Sequence, residues 1–381
     1  MEEWKIYKLK EIGEIVGGAT PSTKNPSNYD GPIPWITPKD LSNSNERYIF
    51  NGERSITNDG YMSCSCKLLP KGTVLFSSRA PIGYVAIAAA PMCTNQGFKS
   101  FIPNSKVDSL FMFYLMKYRK DDIANLGSGT TFIEVSGSVM KEFEVKVPNL
   151  DTQKRIANVL SSLDDKIELN NRINHNLEQQ ASSLLSDWIS TYPCRTYKLS
   201  DICKYANAKC ETGNLTPQNY ISTENMLPNK KGIVEASNIP TGKATCYKVD
   251  DILIANIRPY FQKIWKADIN GGCSADVLCI RANIESHSPI LYWLLHQDAF
   301  FEYVMTGAKG CKMPRGDKQH IMNWSIDLPE VQYWADLATQ LGSIDQQIAY
   351  NRIESINLSN LRDTLLPKLM SGEIKINEID C

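Results

Sequence analysis

The sequence has 381 residues, of which 42% are hydrophobic and 22% charged, and its formal net charge at pH 7 is −1. This length and composition predict a globular protein of two or three domains and argue against a disordered or fibrous chain. No run of about 18 apolar residues occurs, and the acidic N-terminus has no apolar segment behind it, so a membrane-spanning or secreted protein is not expected.

Residues 1–150 are predicted to form a first globular segment of mixed α and β structure. The stretch 31–41 is too rich in proline for a helix and predicts a short strand that ends in a polar loop. The β-branched and aromatic residues at 73–76 predict a buried strand that runs into a loop containing Arg79. The remaining predictions are a strand at 84–88, a polar turn at 94–97, a helix at 109–118, a glycine-rich loop at 127–131 and a strand at 143–148.

Residues 151–190 carry apolar side chains in alternating steps of three and four, which predicts a long amphipathic helix. Its apolar stripe is narrow, as in helices that pack against one partner helix. Asp151 is the predicted N-cap. The seam residues are Ile156, Leu160, Leu163, Ile167, Asn170, Leu177 and Leu184.

Residues 191–330 predict a second globular segment, and 331–381 a second long helix with a tail. The opening 197–202 resembles 7–12, a predicted strand at 251–254 runs into a loop containing Arg258, and a helix is predicted at 289–301. Pro367 is predicted to end the second long helix. Each residue of the second seam lies 181 positions after its counterpart in the first, as Asn351 does after Asn170 (351 − 170). The second seam consists of Leu337, Leu341, Ile344, Ile348, Asn351, Leu358 and Leu365.

The duplication predicts the fold class. Two helices of similar length in one chain, each with a narrow apolar stripe, most simply pair with each other, and a seam asparagine typically fixes register and partner at a cost in stability. Because a full globular segment joins the helices, they are expected to be antiparallel. The predicted fold is α+β, with two mixed α/β domains separated by a long antiparallel two-helix coiled coil and an internal pseudo-twofold repeat.

Several catalytic motifs are absent from the sequence. It has no P-loop, no amino-methyltransferase tetrapeptide and no dinucleotide-binding glycine motif. The Glu144-Val-Lys146 run resembles half of a nuclease motif, but an alternating strand produces this spacing by chance. The four histidines show no ligand spacing, and the eleven cysteines include no CxxC pair, so no metal site is expected and the thiols are expected to be reduced. A cytoplasmic protein is therefore expected.

Arg79 and Arg258 follow equivalent predicted strands and have two interpretations. Each could be a partly buried arginine that bonds loop carbonyls, or a planar donor to guanine or phosphate. The basic run that contains Lys309, Lys312 and Arg315 could likewise be a phosphate clamp or a solvated loop. The glycine-rich loop 127–131 could bind phosphate through its amides, although a plain turn explains it equally well.

Several runs together resemble one family, the specificity subunits of type I restriction-modification systems. The resemblance covers nearly the whole chain and includes the duplication. Its motifs are Phe76-Ser-Ser-Arg-Ala-Pro-Ile-Gly83, Thr94-Asn-Gln-Gly-Phe98, Gly127 to Thr131, Gln153-Lys-Arg-Ile156, Leu163-Asp-Asp-Lys-Ile167 and Leu365-Leu-Pro-Lys-Leu-Met-Ser-Gly-Glu-Ile374.

The resemblance implies a target recognition domain at 1–150, a central long helix at 151–190, a second recognition domain at 191–330 and a distal long helix and tail at 331–381. Each domain would read half of a bipartite double-stranded DNA target, and the helices would set the spacer and dock two methyltransferase subunits. Motor-nuclease subunits are further expected partners. No catalytic residue and no metal are expected in this chain, because S-adenosylmethionine would bind the methyltransferase and ATP and Mg the motor-nuclease subunit.

By position, the candidate DNA-binding residues lie in the loops of both domains. A coiled-coil protein scaffold without DNA binding, and an enzyme acting alone, are the competing interpretations. The candidates are Thr37, Lys39, Asp40, Ser78, Arg79, Asn95, Gln96, Thr131, Thr223, Glu224, Asn225, Asn256, Arg258, Tyr260, Lys312 and Arg315.

Overall fold

The computed structural model describes residues 4–42, 46–79, 81–128 and 133–374. The chain divides into two compact units, Met1–Leu169 with Glu354–Cys381 and Asn170–Ile353. Each long helix therefore contributes one segment to each unit. The mixed α and β structure predicted from the sequence is confirmed.

Among the described residues, the first ten strands all belong to the first unit, together with six short α-helices and the start of a long one. The strands are β1 (Lys5–Lys8), β2 (Gly13–Gly17), β3 (Tyr29–Ile36), β4 (Tyr48–Ile49), β5 (Arg54–Ile56), β6 (Val74–Phe76), β7 (Val85–Ala88), β8 (Cys93–Thr94), β9 (Lys99–Pro103) and β10 (Glu144–Val147). The helices are α1 (Leu9–Ile12), α2 (Pro38–Ser42), α3 (Asn58–Met62), α4 (Ser109–Tyr118), α5 (Lys120–Asn125), α6 (Gly137–Glu142) and α7 (Leu150–Thr191).

Three sheets form among the described residues of the first unit. The largest has five strands in the order β2-β9-β6-β7-β4, with β4 at its edge. A three-stranded sheet has the order β5-β3-β8, and β3 runs parallel to β8. The third is an antiparallel ribbon of β1 and β10, which brings the start of the domain to the strand that precedes α7.

The predicted helix at 109–118 is confirmed as α4, which lies in the core of the first unit. Asp108 caps it, because its Oδ1 accepts from the amides of Leu110 and Phe111 at 2.9 Å each. Every residue from Phe111 to Met116 is buried. A helix that is apolar on nearly all sides requires neighbours all round, and α4 packs both on the large sheet and on the start of α7.

The first long helix begins earlier than predicted. Asn149 is its cap, since its Oδ1 accepts from the amide of Thr152 at 2.9 Å. Asp151 therefore lies inside the first turn, and the prediction that it is the N-cap was wrong. Asparagine and aspartate cap helices about equally well, so the sequence offered two candidates and the path of the chain after β10 selected the earlier one.

The last ten strands belong to the second unit. They are β11 (Cys194–Lys198), β12 (Cys203–Tyr205), β13 (Lys209–Glu211), β14 (Tyr220–Ile221), β15 (Lys243–Tyr247), β16 (Ile252–Ala255), β17 (Ile264–Lys266), β18 (Gly271–Cys273), β19 (Val277–Ala282) and β20 (Ser325–Pro329). The helices that follow α7 are α8 (Leu199–Ile202), α9 (Ser288–Leu295), α10 (Asp298–Thr306), α11 (Lys318–Met322) and α12 (Trp334–Ser371).

The sheets of the second unit have connections like those of the first. A four-stranded sheet has the order β12-β19-β16-β17, with β17 at its edge. A second four-stranded sheet, β13-β15-β18-β14, contains a parallel pair of β14 and β18. β11 and β20 form an antiparallel ribbon, as β1 and β10 do in the first unit.

The helix predicted at 289–301 is two helices, α9 and α10. Gln297 is extended, with φ −69° and ψ 148°, and separates them. The break lets both apolar faces enter one core, because Leu291 and Leu295 of α9 pack with Phe300 and Phe301 of α10. No glycine or proline marks this break, so packing rather than a local signal produces it.

Pro367 does not end the second long helix, which continues to Ser371. Proline removes one helical hydrogen bond and is costly in a helix interior. Leu369 and Met370 lie beyond it and are buried in the core of the first unit, with Leu365 and Leu366 packed against that core. Burial of these apolar side chains offsets the lost hydrogen bond.

Within each unit, segments of the two long helices pack side by side and run antiparallel. In the first unit Asp164 pairs with Arg362 at 2.6 Å. In the second unit Asn351 donates to Asn174 Oδ1 at 2.8 Å, and the Trp188 indole donates to the Tyr333 carbonyl at 3.0 Å. All the predicted seam residues are buried or half-buried, including Asn170 and Asn351.

Candidate nucleic-acid interface

Three loops of the first unit converge where β6 ends. The amide of Ser78 donates to the Gly97 carbonyl at 2.7 Å, which joins the loop after β6 to the turn before β9. The amide of Val135 donates to the Ser78 carbonyl at 3.0 Å, which adds the segment before α6. Backbone hydrogen bonds therefore hold the loop that carries Arg79.

Arg79 is held by a carboxylate. Its Nε lies 2.8 Å from Glu134 Oε2, and Lys99 Nζ lies 3.0 Å from Glu134 Oε1. Burial favours a raised pKa for Glu134, but the hydrogen bonds from Lys99 and Arg79 outweigh it, and the pKa is lowered below 4.5. The Arg79 side chain remains 45% exposed. A guanidinium that is hydrogen-bonded through Nε can still donate to a ligand from its two terminal nitrogens.

The same construction recurs in the second unit, where β16 ends. The amide of Arg258 donates to the Pro314 carbonyl at 2.7 Å, and the amide of Gly316 donates to the Asn256 carbonyl at 3.1 Å. The amide of Asn256 donates to the Asp276 carbonyl at 2.8 Å. The loop after β16 thus meets the turn before β19 and the basic segment before α11.

One position differs in charge between the two constructions. In the first unit the backbones of Ser128 and Glu134 exchange two hydrogen bonds, at 3.0 and 3.1 Å. In the second unit Lys309 and Arg315 exchange two bonds of 2.9 Å, and each exchange closes a loop of the same length (134 − 128 = 315 − 309). A carboxylate in the first loop is therefore replaced by a guanidinium in the second.

Arg258 has a strained backbone and a buried atom without a partner. Its φ is 52° and its ψ 62°, in the left-handed region that non-glycine residues rarely adopt. Among the described residues, Arg258 Nε and Asn256 Oδ1 are buried without a hydrogen-bond partner. Unpaired buried polar atoms are costly. These two atoms therefore do not stabilise the loop, whereas the backbone hydrogen bonds of Asn256 and Arg258 do.

The basic segment before α11 is exposed and partly ion-paired. Arg315 Nη2 lies 3.2 Å from Asp276 Oδ1, and Lys309 Nζ lies 2.6 Å from Asp317 Oδ2. The Lys309 hydrogen bond, with the amides at the start of α11, lowers the pKa of Asp317 to about 2. Lys312 is exposed in the same segment. These cations lie at the surface, where phosphate could reach them.

A polar turn follows the parallel strand of each unit. Thr37 donates its amide to Asp40 Oδ2 at 2.7 Å, and Ser222 donates its amide to Asn225 Oδ1 at 2.6 Å. The matching turns indicate that the stretches that begin at 31 and 220 are equivalent. Lys39, on the exposed side of the first turn, pairs with Glu53 at 2.7 Å.

Two candidates, Ser78 and Asn225, do not present their side chains at the surface. Ser78 is completely buried and its hydroxyl donates to the Gly97 carbonyl at 3.2 Å. Asn225 is 4% exposed, and its amide nitrogen donates to the carbonyls of Tyr220 and Val234 at 3.0 and 2.9 Å. Both position their loops, because polar groups in these buried places bond the backbone instead of a ligand.

The remaining candidates lie in the same loops. Asn95 and Thr223 are half-buried, and Asn95 Oδ1 accepts from the Gly97 amide at 2.9 Å. Gln96, Glu224 and Tyr260 are exposed. Thr131 lies outside the described residues.

Sequence reasoning missed Glu134, Lys99 and Asp276, which organise the arginines. A further omission is Lys263, whose Nζ donates to the Thr223 carbonyl at 2.6 Å and whose pKa is lowered by burial. One feature of the sequence could have indicated Glu134. It is an isolated acidic residue at the end of the glycine-rich loop, and this loop comes after Arg79 in the chain. The pairing itself required the tertiary structure.

Metal-binding clusters and membrane-spanning helices are both absent from the described residues. No group of three or more histidine, cysteine, aspartate or glutamate side chains could hold a metal ion there. No helix within the described ranges is long and apolar enough to cross a membrane.

The chain is similar to several known proteins. Some match only part of it, and others match nearly all of it. Residues 1–179 match the family model described as "Type I restriction modification DNA specificity domain". The chain is 32% identical to the type I restriction enzyme MjaIX specificity subunit of Methanocaldococcus jannaschii, over 99% of this chain and 95% of that protein. It is 30% identical to the EcoR124I/EcoR124II specificity subunit of Escherichia coli, over 42% of this chain and 41% of that protein.

A solved structure also shares the fold. The crystal structure of a type I restriction-modification S subunit from M. genitalium superposes with a TM-score of 0.61 at 18% sequence identity. The match covers 97% of this chain and 96% of that one.

Proposed function

Because the chain belongs to the family of type I restriction-modification specificity subunits, we propose that each of its globular segments, 1–150 and 191–330, reads one half of a bipartite DNA target. The observation that carries this proposal is the pair of equivalent loops that differ in charge, with Glu134 in one and Arg315 in the other. Loops built alike but carrying opposite charge favour different base edges and phosphate contacts, so the two half-sites differ.

The first recognition domain reads bases through Arg79. Its outer nitrogens suit a guanine edge, which accepts two parallel hydrogen bonds from a guanidinium. The Glu134 carboxylate accepts from Arg79 Nε at 2.8 Å and so fixes the orientation of the Arg79 side chain. Neutralisation by Glu134 also weakens non-specific attraction to phosphate, which favours base contact over backbone contact.

The second recognition domain combines base reading and phosphate binding. Lys312 and Arg315 are exposed cations and suit phosphates. Asn256 and Arg258 carry unpaired buried atoms, and a base edge would supply an acceptor and a donor once these side chains turn outward.

The long helices act as a spacer between the half-sites and as the docking surface for methyltransferase subunits. Under this proposal the chain is non-catalytic. S-adenosylmethionine and the adenine chemistry belong to the methyltransferase subunits, and ATP and Mg to motor-nuclease subunits that join them. The competing interpretation, a coiled-coil scaffold without DNA binding, is not supported by the named relatives.

The direct test is to map methylated adenines in DNA exposed to this chain together with its methyltransferase subunits. We expect one bipartite motif with two different half-sites and a constant gap. A single contiguous motif, or no sequence preference, would contradict the proposal. The chain alone should transfer no methyl groups, which separates a specificity subunit from an enzyme.

Salt dependence tests DNA binding independently of methylation. If about six or more phosphates are contacted, affinity for the target should fall by roughly 10³-fold between about 50 and 200 mM salt. A protein scaffold would show no duplex binding at either concentration. The Lys312→Ala variant should reduce the slope of this dependence by about one phosphate contact.

A further inference from the structure

Each long helix buries one aspartate within a unit. Asp164 lies in α7 and Asp345 in α12, and they are related by the offset of the two seams (345 − 164 = 181). Their side chains are only 8% and 11% exposed. Buried carboxylates persist in proteins when charged and hydrogen-bonding partners surround them.

Three elements of the first unit reach Asp164. The Tyr114 hydroxyl of α4 donates to its Oδ2 at 2.5 Å, and Arg362 Nη1 of α12 donates to its Oδ1 at 2.6 Å. Arg47, which directly precedes edge strand β4, hydrogen-bonds Asp165 through Nη2 and Glu168 through Nε, the latter at 3.3 Å. Its Nε lies 4.0 Å from Asp164 Oδ2, so Arg47 is an ion-pair neighbour of Asp164 without a direct hydrogen bond to it. The Arg47 side chain is 5% exposed, so the sheet edge meets the helix through a buried charge.

Two elements of the second unit reach Asp345. The Trp293 indole of α9 donates to its Oδ1 at 2.8 Å. Lys266, at the end of edge strand β17, places its Nζ 2.6 Å from Oδ2 and 3.1 Å from Asp250. Burial raises the pKa of Asp345 above its usual value, although Lys266 opposes the shift.

The two arrangements share one plan, although their residues differ. In both, a buried aromatic side chain of a short helix and a cation at the edge of the main sheet converge on one carboxylate of a long helix. Apolar contacts between the same elements are non-directional and tolerate sliding. Charge-assisted hydrogen bonds to a buried carboxylate require fixed distances and angles, so they select one orientation.

We infer that Asp164 and Asp345 are positioning residues that hold each recognition domain in one orientation on its long helix, so that the complex accepts a single gap length between half-sites. This inference rests on the proposed function, because a gap exists only in a bipartite target. It concerns gap length and not base identity, since neither aspartate lies in the loops that carry Arg79 and Arg258.

The test uses the full chain assembled with its methyltransferase subunits. Asp164→Asn and Asp345→Asn retain side-chain volume and one acceptor oxygen but remove the charge. Targets with the native gap, and with the gap one base pair shorter or longer, compete for methylation. We expect each variant to methylate the altered-gap targets at least about tenfold more readily, relative to the native target, than the wild type does. Base preference within both half-sites should be unchanged.

Asp363→Asn is the matched control. Asp363 also pairs with Arg362, at 2.8 Å, but is 63% exposed, so this variant should keep the native gap. Should an aspartate variant fail to fold, Tyr114→Phe and Trp293→Phe each remove one donor and keep a ring. These two variants should also raise methylation of the altered-gap targets relative to the native target, but by a smaller factor.

Two outcomes would overturn the inference. Folded variants that unfold at lower temperature yet keep the native gap would make the aspartates stabilising residues only. A gap relaxed equally by Asp363→Asn would show that any lost charge loosens the assembly. A wild-type complex that methylates no bipartite motif would instead reject the proposed function, on which the inference rests.

Discussion

Glu134 shows how one side chain can give a loop its chemistry. Its carboxylate accepts hydrogen bonds from Arg79 and Lys99 and partly neutralises their positive charges. Without it, both cations would attract phosphate regardless of the DNA sequence. The corresponding position in the second unit, Arg315, pairs with Asp276 across a different loop. The side chains differ while the backbone hydrogen bonds are alike, which suits a scaffold whose loops vary in specificity.

The Glu134→Gln variant tests this assignment. Glutamine keeps the size of the side chain but loses the charge that aims Arg79. Discrimination at the base read by Arg79 should fall by about 1–3 kcal/mol, the value of one good bidentate contact, while the second half-site stays unchanged. Methylation mapping with the variant complex measures both half-sites at once.

Glu14→Gln is the control for Glu134→Gln. Glu14 also pairs with a lysine, Lys67, at 2.8 Å, but both side chains are largely exposed (58% and 63%), and neither residue is a DNA-binding candidate. Such exposed pairs contribute little. Equal relaxation of the motif in both variants would contradict a specific role for Glu134.

His296 predicts a pH dependence of stability. Burial, helped by the charge of Lys230, lowers its pKa from 6.5 to about 3. Between these values the unfolded chain binds a proton that the folded chain does not, so stability rises with pH in this window. At pH 5 the contribution should be about 2 kcal/mol less favourable than at pH 7.

The His296→Phe variant should flatten this part of the stability profile, because no proton is taken up on unfolding. The ring can still contact Tyr292 and Trp293, which His296 contacts now. Denaturant unfolding at several pH values measures the effect. An unchanged slope in His296→Phe would show that other groups cause the dependence.

At the scale of elements, the two seam asparagines are polar residues that interrupt an otherwise apolar helix stripe. Asn351 is 3% exposed and bonds Asn174 and Gln347, both at 2.8 Å. An asparagine in such a seam lowers stability compared with leucine but disfavours other registers and partners.

The Asn351→Leu variant should therefore be more stable but less specific in its helix pairing. We expect a gain of about 1 kcal/mol, together with self-association or mixed registers, measured by thermal unfolding and light scattering. Asn357→Leu, at an exposed position of the same helix, should change stability by less than about 0.5 kcal/mol. A less stable Asn351→Leu variant that remains monodisperse would contradict a register role.

At the scale of the whole molecule, the helices are proposed to measure the gap in the target. A helix rises about 1.5 Å per residue, so four added residues lengthen it by about 6 Å. One base pair occupies about 3.4 Å of duplex. Insertion of one four-residue seam step into each long helix should therefore lengthen the gap by one to two base pairs.

Methylation mapping of the insertion variant measures the new gap. Four residues inserted into the exposed loop 240–242 are the control and should leave the gap unaltered. An unchanged gap in the helix variant would refute the ruler, and a changed gap in the loop variant would show that the effect is not specific to the helices.

Local patterns determined much of the architecture. The seam spacing predicted two long helices, which the structure contains as α7 and α12. Apolar runs predicted β6, β7 and β16 to within one residue, because strands buried on both faces are composed of β-branched and aromatic residues. The combined motifs pointed to the family that the relatives show.

The tertiary structure decided what depends on partners distant in the chain. It paired Arg79 with Glu134, buried Ser78 and Asn225, and broke one predicted helix at Gln297. It also kept α12 helical through Pro367. Periodicity and composition report how one segment prefers to fold. A carboxylate that meets an arginine across two loops, or a helix that breaks to fill a core, depends on contacts that no single segment contains.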